Sequence, residues 1–324
     1  MSKFLDLDSE ITINGPLIAF ADSRPIVAPA PFADAVEHWR FGTSEASRNG
    51  LIAARRMALG IAPVSITGGT GYSASPTVTL SGPGATGLSA VAQRSGTAIS
   101  DINFTGQPAD AGAVTATITD SSGTGGAASI GRGVEPTYNA KSAVIAAGRQ
   151  NGLISDIDDA LTYSEAYLIK RPTAGVKQMV GGSVQYSGFA GGSLIGGDGF
   201  FWDTANVMRL ENVSGASMTL APPASWIPGA FGVLIASVAP GAMRMSLFGP
   251  DGVATNVANS SSKQLANPQR KRALGGIHYG FESGSPYRAL EIASFVNWAY
   301  ALNTVQMQNC AFDLLDYARD GQLI

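Results

Sequence analysis

The densest group of acidic residues in the sequence is Asp156, Asp158 and Asp159, in the segment SDIDD. Calcium binds several oxygen ligands, and closely spaced aspartates on a loop can supply them. Aspartates also favour turns, because their short side chains bond to nearby backbone groups. The segment therefore predicts either a calcium site with these three ligands or a solvated loop that binds no metal. Calcium is the one cofactor that the sequence suggests.

Carboxylates also hydrolyse glycosidic bonds, which requires two of them facing each other across a cleft. Alternating acids on one strand would place both on the same face. No strand-like segment has this spacing, since Glu291 stands alone and Glu211 and Glu282 lie at segment ends. The sequence therefore favours a protein that is not an enzyme. A polysaccharide-degrading enzyme that uses Glu291 or Asp203 is the alternative.

Aromatic residues beside glycines form a candidate contact surface. The segment GGDGFFWDT contains Phe200, Phe201, Trp202 and Asp203. Exposed aromatics on a rigid scaffold stack on sugars or insert into a partner protein. Phe201 fits a sandwich core better, and Trp202 fits either place. We therefore expect Phe200, Trp202 and Asp203 to contact a glycan or a partner.

A basic run consists of Arg270, Lys271 and Arg272. The simpler interpretation is a solvated loop ahead of a strand that begins at Ala273. The alternative is a contact between these cations and acidic surface polysaccharide or lipid headgroups. We include the three residues among the candidates for glycan or partner contact.

Composition limits the classes of function. Of the 324 residues, 14% are charged and 40 are glycine, which favours short strands and tight turns. A net charge of -3 argues against a nucleic-acid-binding surface. One cysteine excludes an intrachain disulfide, and two histidines add too few ligands for a usual zinc site. The sequence has no export signal and no apolar run of about 20 residues, so we expect synthesis in the cytoplasm and no membrane span.

The first 34 residues form a segment of their own. They contain too many apolar residues for a free tail and are too few to bury a core. An extended arm docked on the rest of the chain or on a neighbouring subunit satisfies both facts, and we favour the neighbour. The anchoring residues would be Phe4, Leu5, Leu7, Ile11 and Ile13.

A strand pattern begins at VEHWRFG, where residues alternate between two faces. We expect His38 in this strand to be a hydrogen-bonded structural residue. The next segment, SEASRNGLIAARRMALG, has helix-like or irregular character, and we expect Arg48, Arg55 and Arg56 to be exposed.

Residues 63–133 differ from the segments on both sides. Residues 68–92 read GGTGYSASPTVTLSGPGATGLSAVA: a glycine turn, a tyrosine, a proline, an alternating strand and another glycine turn. This stretch resembles a glycine-rich β repeat found widely in bacteriophage tail, fibre and virion-surface proteins. A weaker copy across 96–130 indicates a small sheet built by duplication. We interpret residues 63–133 as a β module inserted into a larger domain.

The segments 35–62 and 134–324 resemble a concanavalin A-like (laminin-G-like) jelly roll. The similarity lies in the order of GRQNGLISDIDD, TYSEAYLIKRP and VKQMVGG, and in the later strands FGVLIASV and MRMSLFGPDG. A helix is predicted near the end, capped by Asn303 or Thr304 and ended by Gly321. The predicted fold is all-β: a discontinuous antiparallel β-sandwich with a small inserted β domain and a C-terminal helix.

The two resemblances imply a structural virion protein of a bacteriophage, in the tail fibre or baseplate, that recognises a host surface glycan. A capsid decoration or head-fibre protein is an alternative within the virion. The implied partners are other virion proteins, other copies of the chain in a homotrimer, and host polysaccharide.

Overall fold

A computed structural model of the protein describes residues 32, 34–73, 76–173, 175–186, 194–212, 217–260, 263, 266, 270–276 and 288–324. Among them lie 23 strands, three short 3-10 helices and one α-helix. The strands are β1 Glu37–Arg40, β2 Ala58–Leu59, β3 Ile61–Thr67, β4 Thr77–Ser81, β5 Ser89–Ser95, β6 Ala98–Thr105, β7 Thr115–Thr119, β8 Ala127–Arg132, β9 Thr137–Tyr138, β10 Ala143–Ile145, β11 Leu153–Asp158, β12 Tyr163–Lys170, β13 Gln178–Gly182, β14 Gln185–Tyr186, β15 Leu194–Gly196, β16 Asp198–Trp202, β17 Met208–Asn212, β18 Met218–Leu220, β19 Phe231–Ala239, β20 Ala242–Phe248, β21 Ala254–Asn259, β22 Lys271–Leu274 and β23 Leu290–Trp298. The 3-10 helices are Glu45–Arg48, Pro83–Ala85 and Arg149–Asn151, and helix α1 is Thr304–Asp320.

Two large antiparallel sheets form the main body. Sheet I has the order β21-β20-β19-β12-β23-β10-β9, and β1 also pairs with β23. Sheet II has the order β18-β17-β16-β13-β22-β11-β2. Neighbours far apart in sequence, such as β12 and β23, require connections that cross from one sheet to the other, as in jelly rolls. The predicted fold class, an all-β antiparallel sandwich of jelly-roll type with a C-terminal helix, is confirmed.

The main core lies between the two sheets, because the inward-facing residues of both are apolar. Aromatic rings fill its centre: Trp39 stacks on Phe295 with centroids 5.4 Å apart, and Tyr167 lies 5.0 Å from Phe295. From sheet II, Phe200 packs 5.7 Å from Tyr167. These rings are almost fully removed from water, and burying large aromatic surfaces contributes much of the stability of such cores.

Helix α1 covers the outer face of sheet I. Its apolar side is buried against that sheet, as the helical spacing predicts, through Met307, Cys310, Ala311, Leu314, Leu315 and Ala318. Asn303 is the N-cap, and its side chain and that of Gln306 bond reciprocally to each other's backbone at 2.9 Å. Gly321 ends the helix. Across the described part of the chain, no helix is long and apolar enough to cross a membrane.

Strands β3 to β8 pair only with one another and form three nested antiparallel ladders: β3 with β8, β4 with β7, and β5 with β6. Neighbouring ladders lie side by side, β6 against β3, β7 against β8 and β4 against β5, so the six strands close a ring. Its small core contains Ile102 and Phe104 from β6 and Ile61 from β3. The residue limits that the sequence suggests for this module stay a prediction.

Tyr72 follows the glycines of residues 68–71 and packs against a second glycine cluster, residues 123–126. The tyrosine is 4% exposed, and its hydroxyl accepts a hydrogen bond from the Gly126 backbone at 2.8 Å. A Cβ atom at Gly123 would lie 2.3 Å from the ring, and one at Gly126 would lie 2.3 Å from the hydroxyl. The glycines of the second cluster are therefore required by the close approach of this ring.

His38 is buried, and its Nε2 atom lies 3.0 Å from the Ser294 hydroxyl. Phe32 stacks on its ring with centroids 4.8 Å apart. The prediction of a hydrogen-bonded structural histidine is confirmed. Burial, assisted by Arg40, lowers the pKa of His38 from 6.5 to about 4, so the folded protein holds a neutral imidazole at neutral pH.

We expect the stability of the protein to fall as the pH falls from 6.5 to about 4. In that window the unfolded chain binds a proton at His38 and the folded chain does not, so acid favours unfolding, by at most about 3 kcal/mol. Urea unfolding at a series of pH values measures this slope. His38→Gln should reduce it. A variant with the slope of the parent protein would contradict the assignment.

Candidate functional site

Two cavities are both lined by Asp156 and Asp158, and one of them lies where the inserted module meets the sandwich. The inner cavity has a volume of about 280 Å³ and reaches into the open end of the sandwich, where Tyr163 and Trp298 form part of its wall. The outer cavity, of about 480 Å³, lies between sheet II and the module. We call the two together the junction cleft.

Strand β11 positions the two aspartates. Successive side chains of a strand point to opposite faces, so Ile157 enters the core while Asp156 and Asp158 face outward. Their side chains are 38% and 54% exposed. Asp156 accepts a hydrogen bond from Arg55 at 2.8 Å, and Lys271 donates to Asp158. The cleft therefore carries two ion pairs at the boundary between its cavities.

A buried glutamate fixes the rim that carries Arg55. The Glu37 side chain, fully buried on β1, accepts backbone hydrogen bonds from Ile52 at 2.7 Å, Ala53 at 2.9 Å and Arg55 at 3.0 Å. It also accepts one from His38 at 2.9 Å. A carboxylate that accepts several backbone bonds holds a loop in one conformation, because charge-assisted bonds are strong. Arg55 therefore stands at the cleft on a fixed loop.

The module supplies the other wall through Ser89, Thr105 and Gln107. The Gln107 amide nitrogen donates to the Arg56 carbonyl at 2.8 Å and the Ile154 carbonyl at 2.9 Å, which ties this wall to β2 and β11. At the base, a Cβ atom at Gly106, whose φ is +89°, would lie 2.0 Å from the Gly87 carbonyl oxygen. Glycine is required there, because other residues rarely adopt that conformation and would clash.

Arg48 fastens the module to the sandwich. It is 1% exposed, and it donates to Met57 at 2.7 Å, to Glu135 at 2.9 Å and to Asp110 of the module. Arg56 also donates to Asp110, at 2.9 Å. Burial alone would raise the pKa of Asp110, but the bonds from the two arginines outweigh it and lower the pKa. The prediction that Arg48 is exposed is wrong, because its acidic partners lie 62 and 87 residues further along the chain.

A second buried pair crosses the same boundary. Arg149 donates two hydrogen bonds to Asp101 of the module, at 2.9 and 3.1 Å. Burial raises the pKa of Asp101, and Arg149 opposes that rise. Two independent ion pairs thus hold the module against the sandwich, so the walls of the cleft keep their spacing.

A network of buried charges lies behind the inner cavity. Three cations and three carboxylates, each at most 4% exposed, balance one another: Lys263, Arg270, Arg272, Asp159, Glu165 and Asp198. Arg272 on sheet II donates to Glu165 on sheet I at 2.7 Å and also to Asp198. Arg270 donates to Asp159 at 3.0 Å, and Lys263 lies 3.0 Å from Asp198. This interior network joins the two sheets where the core is polar.

The network stabilises the charged forms of Arg272 and Asp198 and the neutral form of Tyr163. Burial alone would lower the pKa of Arg272, but Asp198 and Glu165 outweigh it and hold the pKa well above its usual range. Burial alone would raise the pKa of Asp198, but Arg272 and Lys263 lower it. Burial, followed by Asp198, raises the pKa of Tyr163 well above its usual value. Tyr163 therefore stays a neutral donor, and its ring lies 4.3 Å from the Arg272 guanidinium.

The predicted solvated basic run is wrong for two of its three residues. Arg270 and Arg272 belong to the interior network and are buried. Lys271, between them, lines the outer cavity, bonds to Asp158 and has a side chain that is 20% exposed. The period of two along the strand decides which residue faces water. Arg270 and Arg272 are therefore unavailable for the predicted contact with acidic polysaccharide.

The expected aromatic contact surface is also corrected. Phe200 and Trp202 are fully buried in the core, and Trp202 meets Trp226 edge to face at 5.3 Å. Phe201 is buried too, as expected. Asp203 accepts a backbone bond from Ala205 at 2.8 Å and so stabilises a turn. Neither Phe200 nor Trp202 can stack on a ligand, because both rings are buried between the two sheets.

The calcium site predicted at Asp156, Asp158 and Asp159 is contradicted by the side-chain directions. The segment is a strand and its end, so Asp156 and Asp158 face the cleft while Asp159 enters the interior network. Each carboxylate is bonded to a cation: Asp156 to Arg55, Asp158 to Lys271, and Asp159 to Lys263 and Arg270. Within the described ranges, no three acidic, histidine or cysteine side chains are placed to hold a metal ion.

The remaining candidates lie elsewhere. Glu291 is bonded to Lys170 at 2.8 Å and to Ser142 at 3.0 Å, on the sheet I side away from the cleft lining. The proposed anchor residues Phe4, Leu5, Leu7, Ile11 and Ile13, and also Glu282, lie outside the described residues.

Sequence reasoning missed Glu165, Asp198 and Lys263. One signal was available: in TYSEAYLIK the polar groups of Tyr163, Glu165 and Tyr167 recur with a period of two, which places them on one face of a strand. Glu165 and Tyr167 do meet there, with their oxygens 2.6 Å apart.

Comparisons with known proteins give partial similarity. No protein-family model matches the chain, and no curated protein matches it. The botulinum neurotoxin serotype D binding domain is similar at 10% identity and a TM-score of 0.38, over 57% of this chain and 43% of that one. The serotype G binding domain has 8% identity and a TM-score of 0.39, over 57% and 46%. Trypanosoma rangeli sialidase has 9% identity and a TM-score of 0.40, over 58% and 29%. The chain spans less than half of each of these structures.

We expect Arg272→Ala to lower the free energy of unfolding by about 3–5 kcal/mol, because it leaves Glu165 and Asp198 buried beside fewer cations. Urea unfolding followed by tryptophan fluorescence measures this loss.

The matched control is Arg319→Ala, which removes an exposed arginine paired with Asp316 at 2.8 Å. Exposed pairs contribute little, so this variant should stay within about 1 kcal/mol of the parent protein. Equal effects of the two substitutions would contradict the importance of the interior network.

Proposed function

We propose that this chain is a recognition protein of a bacteriophage virion and that it binds a host surface glycan in the junction cleft. The observation that carries the proposal is the pair of cavities that share Asp156 and Asp158, one of them between the module and the sandwich. Small-molecule sites have volumes of about 300–1,000 Å³ and a few convergent polar groups. The two cavities together offer that space.

The chemistry of the lining supports a sugar ligand. Sugar hydroxyls both donate and accept hydrogen bonds, and the outer cavity presents hydroxyls from Ser89 and Thr105 and an amide from Gln107. The inner cavity adds partly or fully exposed apolar residues, Val36, Ala160 and Ala299. Polar groups beside an apolar wall match the mixed surface of a sugar ring.

The rigidity of the cleft supports recognition. Glu37 fixes the rim at Arg55, Gln107 fixes the module wall, and Arg48 and Arg149 hold the module in place. A site that is already in its bound shape loses less entropy when a ligand binds.

The expectation that no strand carries alternating acids is wrong, because Asp156 and Asp158 share one face of β11 in the cleft. We propose binding without turnover, because each of these carboxylates is paired with a cation, Arg55 or Lys271, and because Glu291 and Asp203 are not among the residues that line the cleft.

The virion setting rests on the glycine-rich repeat of residues 68–92 and its resemblance to β repeats of phage structural proteins. In this proposal the chain is a tail fibre or baseplate component, assembles as a homotrimer, and attaches to a neighbouring virion protein through its first 34 residues. Capsid decoration is the alternative position in the particle.

We expect Ser89→Trp to weaken glycan binding by about ten-fold or more, because an indole would fill the outer cavity. Ser95→Trp is the matched control, since Ser95 is also exposed, lies at the far end of β5 and does not line the cavity. Binding of both variants and the parent protein to immobilised bacterial envelope polysaccharides is measured by biolayer interferometry.

Two results would count against this function. If the parent protein binds no envelope polysaccharide, or if both variants bind as the parent does, the cleft is not a glycan site. Release of soluble oligosaccharides from the same polysaccharides would favour the degrading enzyme instead.

We expect a chain that lacks residues 1–31 to keep the urea midpoint of the full chain but to be missing from assembled particles. Immunogold electron microscopy of phage particles produced with the truncated chain measures its incorporation and shows whether labelled full-length chains lie on the tail or the capsid. Normal incorporation of the truncated chain would rule out the anchoring role.

A further inference from the structure

The charged groups of the junction cleft are unequally available to a ligand. In the inner cavity, Asp156 is paired with Arg55, and their side chains are 38% and 36% exposed. The charged residues that line the outer cavity are Asp156, Asp158 and Lys271. Asp158 is the most exposed of these, at 54%, whereas Lys271 is 20% exposed and bonded to Asp158. A ligand in the outer cavity therefore meets carboxylates more readily than cations.

The outer cavity also offers hydrogen-bond acceptors. The carboxylates of Asp156 and Asp158 line it, and Gln107 donates through its amide nitrogen to two backbone carbonyls, which leaves the amide oxygen as its other polar atom. A ligand that donates hydrogen bonds can use these acceptors, whereas a carboxylate, which only accepts, cannot.

We propose that the junction cleft selects uncharged sugars and disfavours acidic ones. This inference rests on the proposed glycan-binding function and adds the class of glycan. Hydroxyl groups of a neutral sugar would donate to Asp156 and Asp158, while Ser89 and Thr105 would accept from or donate to the same sugar chain. A uronic or sialic acid would place its charge beside two carboxylates, and like charges at short range repel.

Selection of uncharged sugars is the opposite of the contact with acidic polysaccharide that the basic run of residues 270–272 predicts. Arg270 and Arg272 point into the sandwich, so two of the three charges that would have attracted an acidic polysaccharide are neutralised inside the protein.

The test uses the full chain and one preparation of bacterial envelope polysaccharide, separated on an anion-exchange resin into a neutral and an acidic fraction. We expect the neutral fraction to bind at least about ten-fold more tightly than the acidic one. We also expect its affinity to change little as salt is raised, because screening acts on charge–charge attraction.

Asp158→Asn tests the cause of the selectivity. It removes the most exposed carboxylate, so binding of the acidic fraction should strengthen by about five-fold or more. Asp316→Asn is the matched control, because it frees an arginine on α1, away from the cleft, and should leave both affinities unchanged.

The outcomes separate the class of glycan from the function itself. Tighter binding of the acidic fraction that is lost in Ser89→Trp would overturn the selectivity and leave the glycan site in place. An Asp158→Asn variant with the affinities of the parent protein would also overturn the selectivity. If neither fraction binds, both the selectivity and the proposed function fail.

Discussion

The ion pair between Arg272 and Glu165 is the constraint on which the rest of the sandwich depends. It connects the two sheets within the interior network, beside the apolar and aromatic core. Removing charges from water is costly, and the cost is recovered only when every partner is in place. The network therefore aligns the two sheets with each other more than it contributes to the net free energy of folding. Its outer edge, at Tyr163 and Arg272, is also the inner wall of the junction cleft.

The same strategy holds the inserted module. Arg48 and Arg149 lie in the sandwich segments, Asp110 and Asp101 lie in the module, and both pairs are partly or fully buried. A module attached by two chain crossings alone could pivot about them. Buried charge pairs at two separate points remove that freedom, because displacement of either would leave a charge in a poorly solvated place. The walls of the cleft come from two separate β structures and yet behave as parts of one site.

Much of the fold could be predicted because it depends on local pattern. Alternation predicts strands, the low charge and abundant glycine predict an all-β protein, and the capping residues Asn303 and Gly321 predict both ends of the helix. The site could not be predicted in the same way. Alternation assigns Arg270 and Arg272 to one face of a strand but does not say which face is inside. That depends on acidic partners as far as 111 and 107 residues away. The same holds for Trp202, whose burial follows from the packing of both sheets.

The loop held by Glu37 has a consequence for how this surface can change over generations. Its conformation is set by backbone bonds to one buried carboxylate, and its side chains take no part in those bonds. Leu51 and Ile52, 59% and 45% exposed at its tip, can therefore be replaced without disturbing the frame beneath them. Exposed residues at the rim of the cleft can thus be substituted while the backbone of the loop keeps its conformation. A binding surface whose ligand changes over generations needs exposed side chains that take no part in holding the backbone beneath them.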